Sequence, residues 1–213
     1  MNRSGLINKI ADKHVNIAYF AETVRNDENI RAEVIRQLLT NNNIMVYYHC
    51  YYIISRASEE EPELFYEYWD DFAALLDHHN SYHRDIGLTL IANLTKIDEK
   101  DLFSGLYDKY IQHFNDAKFM TAQCFLQNIK KIVMHKKQYI EDIVKLLVEA
   151  DNRCHYPKKQ KELLKSDIID VFAVVYRCTI NKGIVEEFIT AQRNSLSPKT
   201  RKKAKSLINK YGL

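Results

Sequence analysis

Residues that interrupt helices are scarce in this chain. Five glycines and three prolines serve 213 positions, against roughly 7% and 5% in an average globular protein. Long helices joined by short turns are therefore expected, since Gly and Pro are the usual helix breakers. No apolar run approaches the ~18 residues of a membrane span, and MNRSGLINKIADKH at the N-terminus lacks a signal peptide's apolar core. The four cysteines, Cys50, Cys124, Cys154 and Cys178, form no CxxC pair, so reduced, packed thiols in a cytoplasmic chain are the expectation. A Gly-rich phosphate loop, a GxSxG elbow and an EF-hand loop are all missing. Nothing in the sequence calls for a cofactor, a metal or a small-molecule substrate, and no set of residues converges on catalysis.

Acidic residues are missing from one end. Beyond Glu187 there is no Asp or Glu. Residues 1–106 hold 10 Lys and Arg against 17 Asp and Glu, a balance of −7, whereas residues 107–213 hold 21 against 11, a balance of +10. Such asymmetry signals either an anionic partner for the basic half or a long molecule whose ends differ in solvated charge.

What is abundant is helical periodicity. In ELFYEYWDDFAALL (63–76) apolar residues recur at Leu64, Phe65, Tyr68, Trp69, Phe72, Leu75 and Leu76, the three- and four-residue spacing of one buried helical stripe. After the short DHHN turn a second stripe follows at Ile86, Leu90, Ile91 and Leu94. Two helices joined by a turn are implied. Shifted by 38 residues, the same segment overlies DLFSGLYDKYIQHFNDAK, with Leu64, Phe65, Asp70, Leu88 and Ile91 meeting identical residues. Shifted back by 37, Leu75, Leu76, Asn80 and Ile91 meet Leu38, Leu39, Asn43 and Ile54. A weaker fourth unit begins at Tyr139 and is interrupted near NRCHYPKKQ. Self-similarity at this period marks stacked helical hairpins, none able to bury its apolar face alone.

LLDHHNSYHRDIGLTLIANL (75–94) resembles the heart of a HEAT repeat: a Leu-Leu helix end, a polar turn, then Arg84 with the small Gly87 three positions on. The resemblance implies an all-α, right-handed α-solenoid of four to five hairpins, with repeats at 27–60, 61–98, 99–136 and 137–180 between caps at 1–26 and 181–213. It also implies a polar ladder in which Asp77 or Asn80 meets Arg84. The ladder is expected to break where Tyr47 and Ala122 replace the arginine. The three histidines His78, His79 and His83 read as turn residues, because adjacent side chains there should point apart and no HExxH spacing is present.

In such solenoids the second helices line the concave face. The residues expected to project there are Tyr48, Tyr52 and Arg56; Asp85, Thr89 and Asn93; and Gln123, Gln127 and Lys131. This mixed aromatic and polar stripe suits a protein partner and a scaffolding role. At the C-terminus, SLSPKTRKKAKSLINKYGL reads as a capping helix with Ser197 as N-cap and Gly212 beyond the last turn. Its Lys199, Arg201, Lys202, Lys203 and Lys205 form a candidate phosphate-binding cluster, or simply a polar solenoid end. The tail is also similar to the closing helix of the DNA alkylation-repair glycosylases. That resemblance implies nucleic-acid binding as an alternative, but the acid one turn beyond those enzymes' tryptophan is Ala73 here. A second catalytic idea, Cys50 with His49 as its base within YYHCYY (47–52), fails because neighbouring residues diverge by about 100° on a helix.

Overall fold

The computed structural model describes residues 3–213; the first two positions of the expected N-terminal cap lie outside the described residues. Regular structure among the described residues is entirely helical. The α-helices are α1 (Arg3–Ala11), α2 (Ile17–Asn26), α3 (Glu28–Thr40), α4 (Ile44–Glu60), α5 (Trp69–Ala74), α6 (Ser81–Leu94) and α7 (Leu102–Gln112). They continue as α8 (Phe119–His135), α9 (Ile140–Val148), α10 (Ala150–Arg153), α11 (Lys158–Val175), α12 (Lys182–Ala191) and α13 (Pro198–Tyr211).

Polar residues at the turns set where these helices begin. Asn16, Asp27, Asn43, Asn80 and Ser197 each accept a backbone N–H two or three residues on, at the starts of α2, α3, α4, α6 and α13. Each cap satisfies a donor that the helix cannot, a contribution of about 1 kcal/mol. Gly212 ends α13 in the left-handed region at φ 73°, and its N–H returns to the Ile208 carbonyl.

Six helices make a row in which each packs on the next: α2, α4, α6, α8, α11 and α13. From α4 onward they begin at residues 44, 81, 119, 158 and 198, steps of 37, 38, 39 and 40. The other helices flank this row. Buried apolar side chains run as one cluster from Leu6 to Ile208, with Phe65, Phe72, Phe103, Tyr110, Phe125 and Phe172 fully enclosed. Burying each such ring contributes roughly 1.5–3 kcal/mol. At Gly87 α6 approaches its flanking layer closely, since a Cβ there would lie 3.0 Å from both Leu75 Cβ and the Phe72 carbonyl oxygen.

Three sequence expectations need correction. The continuous helix expected over 63–76 is split: 3-10 turns cover Pro62–Tyr68 and Leu75–Asp77, with only α5 between them. The apolar stripe survives, because the tighter 3-10 winding keeps i and i+3 on one side and still buries Phe65, Trp69, Phe72 and Leu75. The Arg84 side chain does not meet the side chain of Asp77 or Asn80. It grips Asp116 in the following turn and donates to the His78 and His79 carbonyls, while Asp77 pairs with Lys109 and Asn80 caps α6. Finally, the adjacent histidines do not diverge. The His78 ring stacks on His79 at 4.3 Å and on His83 at 4.1 Å, with Tyr47 against His83 at 4.8 Å.

Carboxylates lock one turn to the next. Asp98 accepts from Tyr66 Oη, the Leu102 and Phe103 N–H groups, and Lys136 Nζ. Burial works against the Asp98 charge, but these donors hold its carboxyl below the usual range. Glu141 likewise holds Thr179, Ile180 and Asn181, and Glu162 holds Ser195 and the Leu196 N–H.

Candidate binding surface on the second-helix row

The aromatic end of the row lies on α4. Helical spacing brings Tyr48 within 5.6 Å of Tyr52, and the start of α6 adds Tyr82 at 5.6 Å on the other side. Tyr51 leans on Tyr52 at 5.1 Å. Tyr52 and Tyr82 are exposed while Tyr48 and Tyr51 are half-buried between them. Burial, with Tyr52, Tyr82 and Asp85 alongside, pushes the Tyr48 phenol up to about 12, and burial does the same to Tyr51, so these two half-buried hydroxyls stay protonated and act as neutral hydrogen-bonding groups.

The middle of the row is recessed. Thr89 and Asn93 are only 7% and 5% exposed, so the outward projection expected of them does not occur. They lie in the seams between α6 and its neighbours. Tyr51 Oη donates to Thr89 Oγ1 from α4 at 3.3 Å, and Asn128 Nδ2 donates to it from α8 at 3.1 Å. Asn93 Nδ2 donates to the Ser55 carbonyl and to Ser58 Oγ, both at 3.0 Å. Its Oδ1 accepts from Lys131 Nζ at 2.8 Å. Lys131 also reaches Glu59 on α4, so one side chain of α8 spans across α6.

The remaining expected residues divide cleanly. Tyr52, Arg56 and Gln127 are exposed, with Arg56 paired to Glu60 at 3.2 Å. Asp85 and Gln123 are half-buried; burial raises the Asp85 carboxyl above its ordinary value, and Gln123 donates to Asp167 at 2.9 Å. Sequence spacing did not single out Met120, Met134 and Val174. Met120 and Met134 are 67% and 51% exposed on α8, and Val174 is exposed on α11. Their signal was an apolar residue off the buried stripe of its own helix. Met134 and Val174 line an open recess of about 590 Å³ that also reaches Tyr51 and carries Lys130 and Lys131 but no carboxylate.

In the C-terminal cluster, Lys199 pairs with Asp167 and Lys203 with Asp170. Arg201 Nη1 donates to the Ser195 carbonyl at 2.6 Å. Lys202 and Lys205 stay exposed. Trp69 is buried on its helix and packs edge-on against Tyr66 at 5.7 Å, so its ring offers no open face for a base to stack on.

Nucleophilic chemistry finds no support in these positions. Burial pushes the Cys50 and Cys124 thiols up to about 12, far from the thiolate that attacks. His49 Nδ1 is occupied by the Ile10 carbonyl at 2.6 Å. No group of three or more His, Cys, Asp or Glu among the described residues is placed to hold a metal ion. The histidine stack turns ring faces toward one another, whereas ligation needs converging nitrogen lone pairs. No helix among the described residues is long and apolar enough to cross a membrane.

Comparison with protein-family models, curated proteins and solved structures finds no match. What the second-helix row offers is therefore read from its own chemistry: an aromatic wall, a recessed polar seam whose hydrogen bonds are made internally, and exposed apolar groups beside lysines.

Proposed function

We propose that the chain is a right-handed solenoid of HEAT-like hairpins that acts as a non-catalytic scaffold, taking a protein partner on the concave face of its second-helix row. The observation that carries this reading is the line of exposed Tyr52, Tyr82, Met120, Met134 and Val174 on successive helices of that row. Apolar and tyrosyl groups gathered on one face cost solvation until a partner covers them. Two further facts support it. Contacts within the row join consecutive helices, as stacking requires. Several inter-unit hydrogen bonds join residues 38 or 39 apart, as in Tyr51 to Thr89 and Asn128 to Thr89.

A nucleic-acid reading would draw on the basic C-terminal half. Phosphate binding needs cations free to displace counterions, and Lys199 and Lys203 already face Asp167 and Asp170. The protein reading is preferred for that reason. Its test is capture of a protein from native lysate by the wild-type chain and by Tyr52→Ala, Arg56→Glu and Gln127→Ala variants of unchanged melting temperature. Loss of the captured band is expected. Equal capture by every variant would overturn the assigned face, and retention on duplex DNA that falls steeply with salt would favour the nucleic-acid reading instead.

A further inference from the structure

We infer that the recess bounded by α4, α6, α8 and α11 receives an amphipathic helix whose apolar stripe is flanked by acidic side chains. This rests on the scaffold reading and names the kind of partner segment that the face would hold.

The floor decides the secondary structure of the occupant. Thr89, Cys124 and Asn128 line it at its most buried part, and the Thr89 hydroxyl and the Asn128 Nδ2 are already engaged. Asn128 Nδ2 donates to Thr89 Oγ1 at 3.1 Å and to the Cys124 carbonyl at 3.0 Å, while the Thr89 hydroxyl donates to the Asp85 carbonyl at 2.9 Å. An extended peptide would lay backbone N–H and C=O groups against this floor and find few partners, and each buried group left without a hydrogen bond weakens binding. A helix brings its backbone hydrogen bonds with it and asks the floor only for contact area.

The rim decides the side chains. Met134 and Val174 both line the recess and stand exposed, and the unbranched Met134 thioether adapts to irregular apolar surfaces. Above them the lining carries two ammonium groups and no carboxylate. Lys130 bonds only to the neutral Gln127 carbonyl at 2.7 Å. Lys131 is shared between Asn93 and Glu59. A partner with Leu or Met along one stripe and Asp or Glu beside it would cover the apolar groups and give Lys130 a counter-charge. A phosphodiester backbone would satisfy the lysines but bury nothing against Met134 or Val174.

The test is selection of a displayed library of helix-forming peptides against the full-length chain. Enriched sequences are expected to show apolar residues at i, i+3 and i+4 flanked by Asp or Glu. Affinity of the best peptide, read by fluorescence anisotropy, should fall about tenfold or more in Met134→Glu and in Lys130→Glu. Both positions are at the surface, so circular dichroism should show folded variants. In methionine-methyl NMR the Met134 signal should shift with peptide while that of Met45, at the far end of α4, stays in place. Enrichment of basic or proline-rich peptides, or binding indifferent to both substitutions, overturns the inference but leaves the scaffold reading standing. Displacement of the peptide by duplex DNA at physiological salt also overturns it. If no peptide is enriched and no protein is captured from lysate, the scaffold reading fails along with it.

Discussion

Arg84 and Asp116 face each other across thirty-two residues in a two-pronged pair, Nε to Oδ2 at 2.8 Å and Nη2 to Oδ1 at 2.7 Å. Asp116 also accepts the Lys118 N–H, and Arg84 also serves the His78 and His79 carbonyls. Two polar turns are thereby fastened together. Removing one partner strands a charge that is largely out of water. Arg84→Ala is expected to cost about 3 kcal/mol in urea unfolding. Replacing both residues by apolar ones should recover little of it, because the Lys118 N–H and the two histidine carbonyls would lose their partners. A cost below about 1 kcal/mol would mean the pair contributes no more than a surface one.

Acid should weaken the fold in two stages. Burial, with His79 and Arg84 nearby, lowers the His78 imidazole below its usual value; burial with His78 and His79 nearby lowers His83. The folded chain therefore favours their neutral forms. Their stabilisation is present above the ordinary imidazole value of about 6.5 and is lost as pH falls through the lower folded values. Asp98 and Asp116 are also depressed, so theirs is lost further down, below the ordinary carboxylate value of about 4. Urea midpoints measured across pH should show both declines. His83→Phe should flatten the first one, and an unaltered slope would exclude the stack as its source.

Asn93 and Tyr52 should separate stability from binding. Asn93→Ala removes two donors and one acceptor from a buried seam and should cost about 1–3 kcal/mol. Tyr52→Ala, on the exposed wall, should leave the melting temperature within a degree or so while weakening partner capture. Thermal melts of the two variants side by side would decide this, and a stable Asn93→Ala chain would remove the seam from the account.

Gly87→Ala tests a close approach between α6 and its flanking layer. The added methyl would meet the Phe72 carbonyl and Leu75 Cβ at 3.0 Å. Neither is the flexible tip of a side chain, so about 1–3 kcal/mol of overpacking is expected. In an open helix the same substitution would stabilise by up to about 1 kcal/mol. The sign of the change in unfolding free energy is therefore the measurement.

The period of the chain was legible because it depends only on apolar spacing and turn chemistry. Ser197 is visible as a cap, and the offsets of 37 and 38 return as the spacing of the second helices; the capping roles of Asn43 and Asn80 came only with the structure. What the sequence concealed is how far each helix sinks into the row. Thr89 aligns with exposed Gln127 one repeat on and looks equally solvated. It is buried because α4 and α8 both close on α6, and Tyr51 and Asn128 reach it from either side. The partner of Arg84 was hidden for a similar reason: the nearer Asp77 and Asn80 are occupied by Lys109 and by the cap of α6.

The reach of Lys131 from α8 to Glu59 on α4 bears on how the molecule comes apart. A stack joined only between neighbours can fray one hairpin at a time from either end. Here a single lysine belongs to three helices, so α4, α6 and α8 should let go of their slowly exchanging amides together. The central third would then behave as one cooperative block, with the terminal hairpins as its looser fringe.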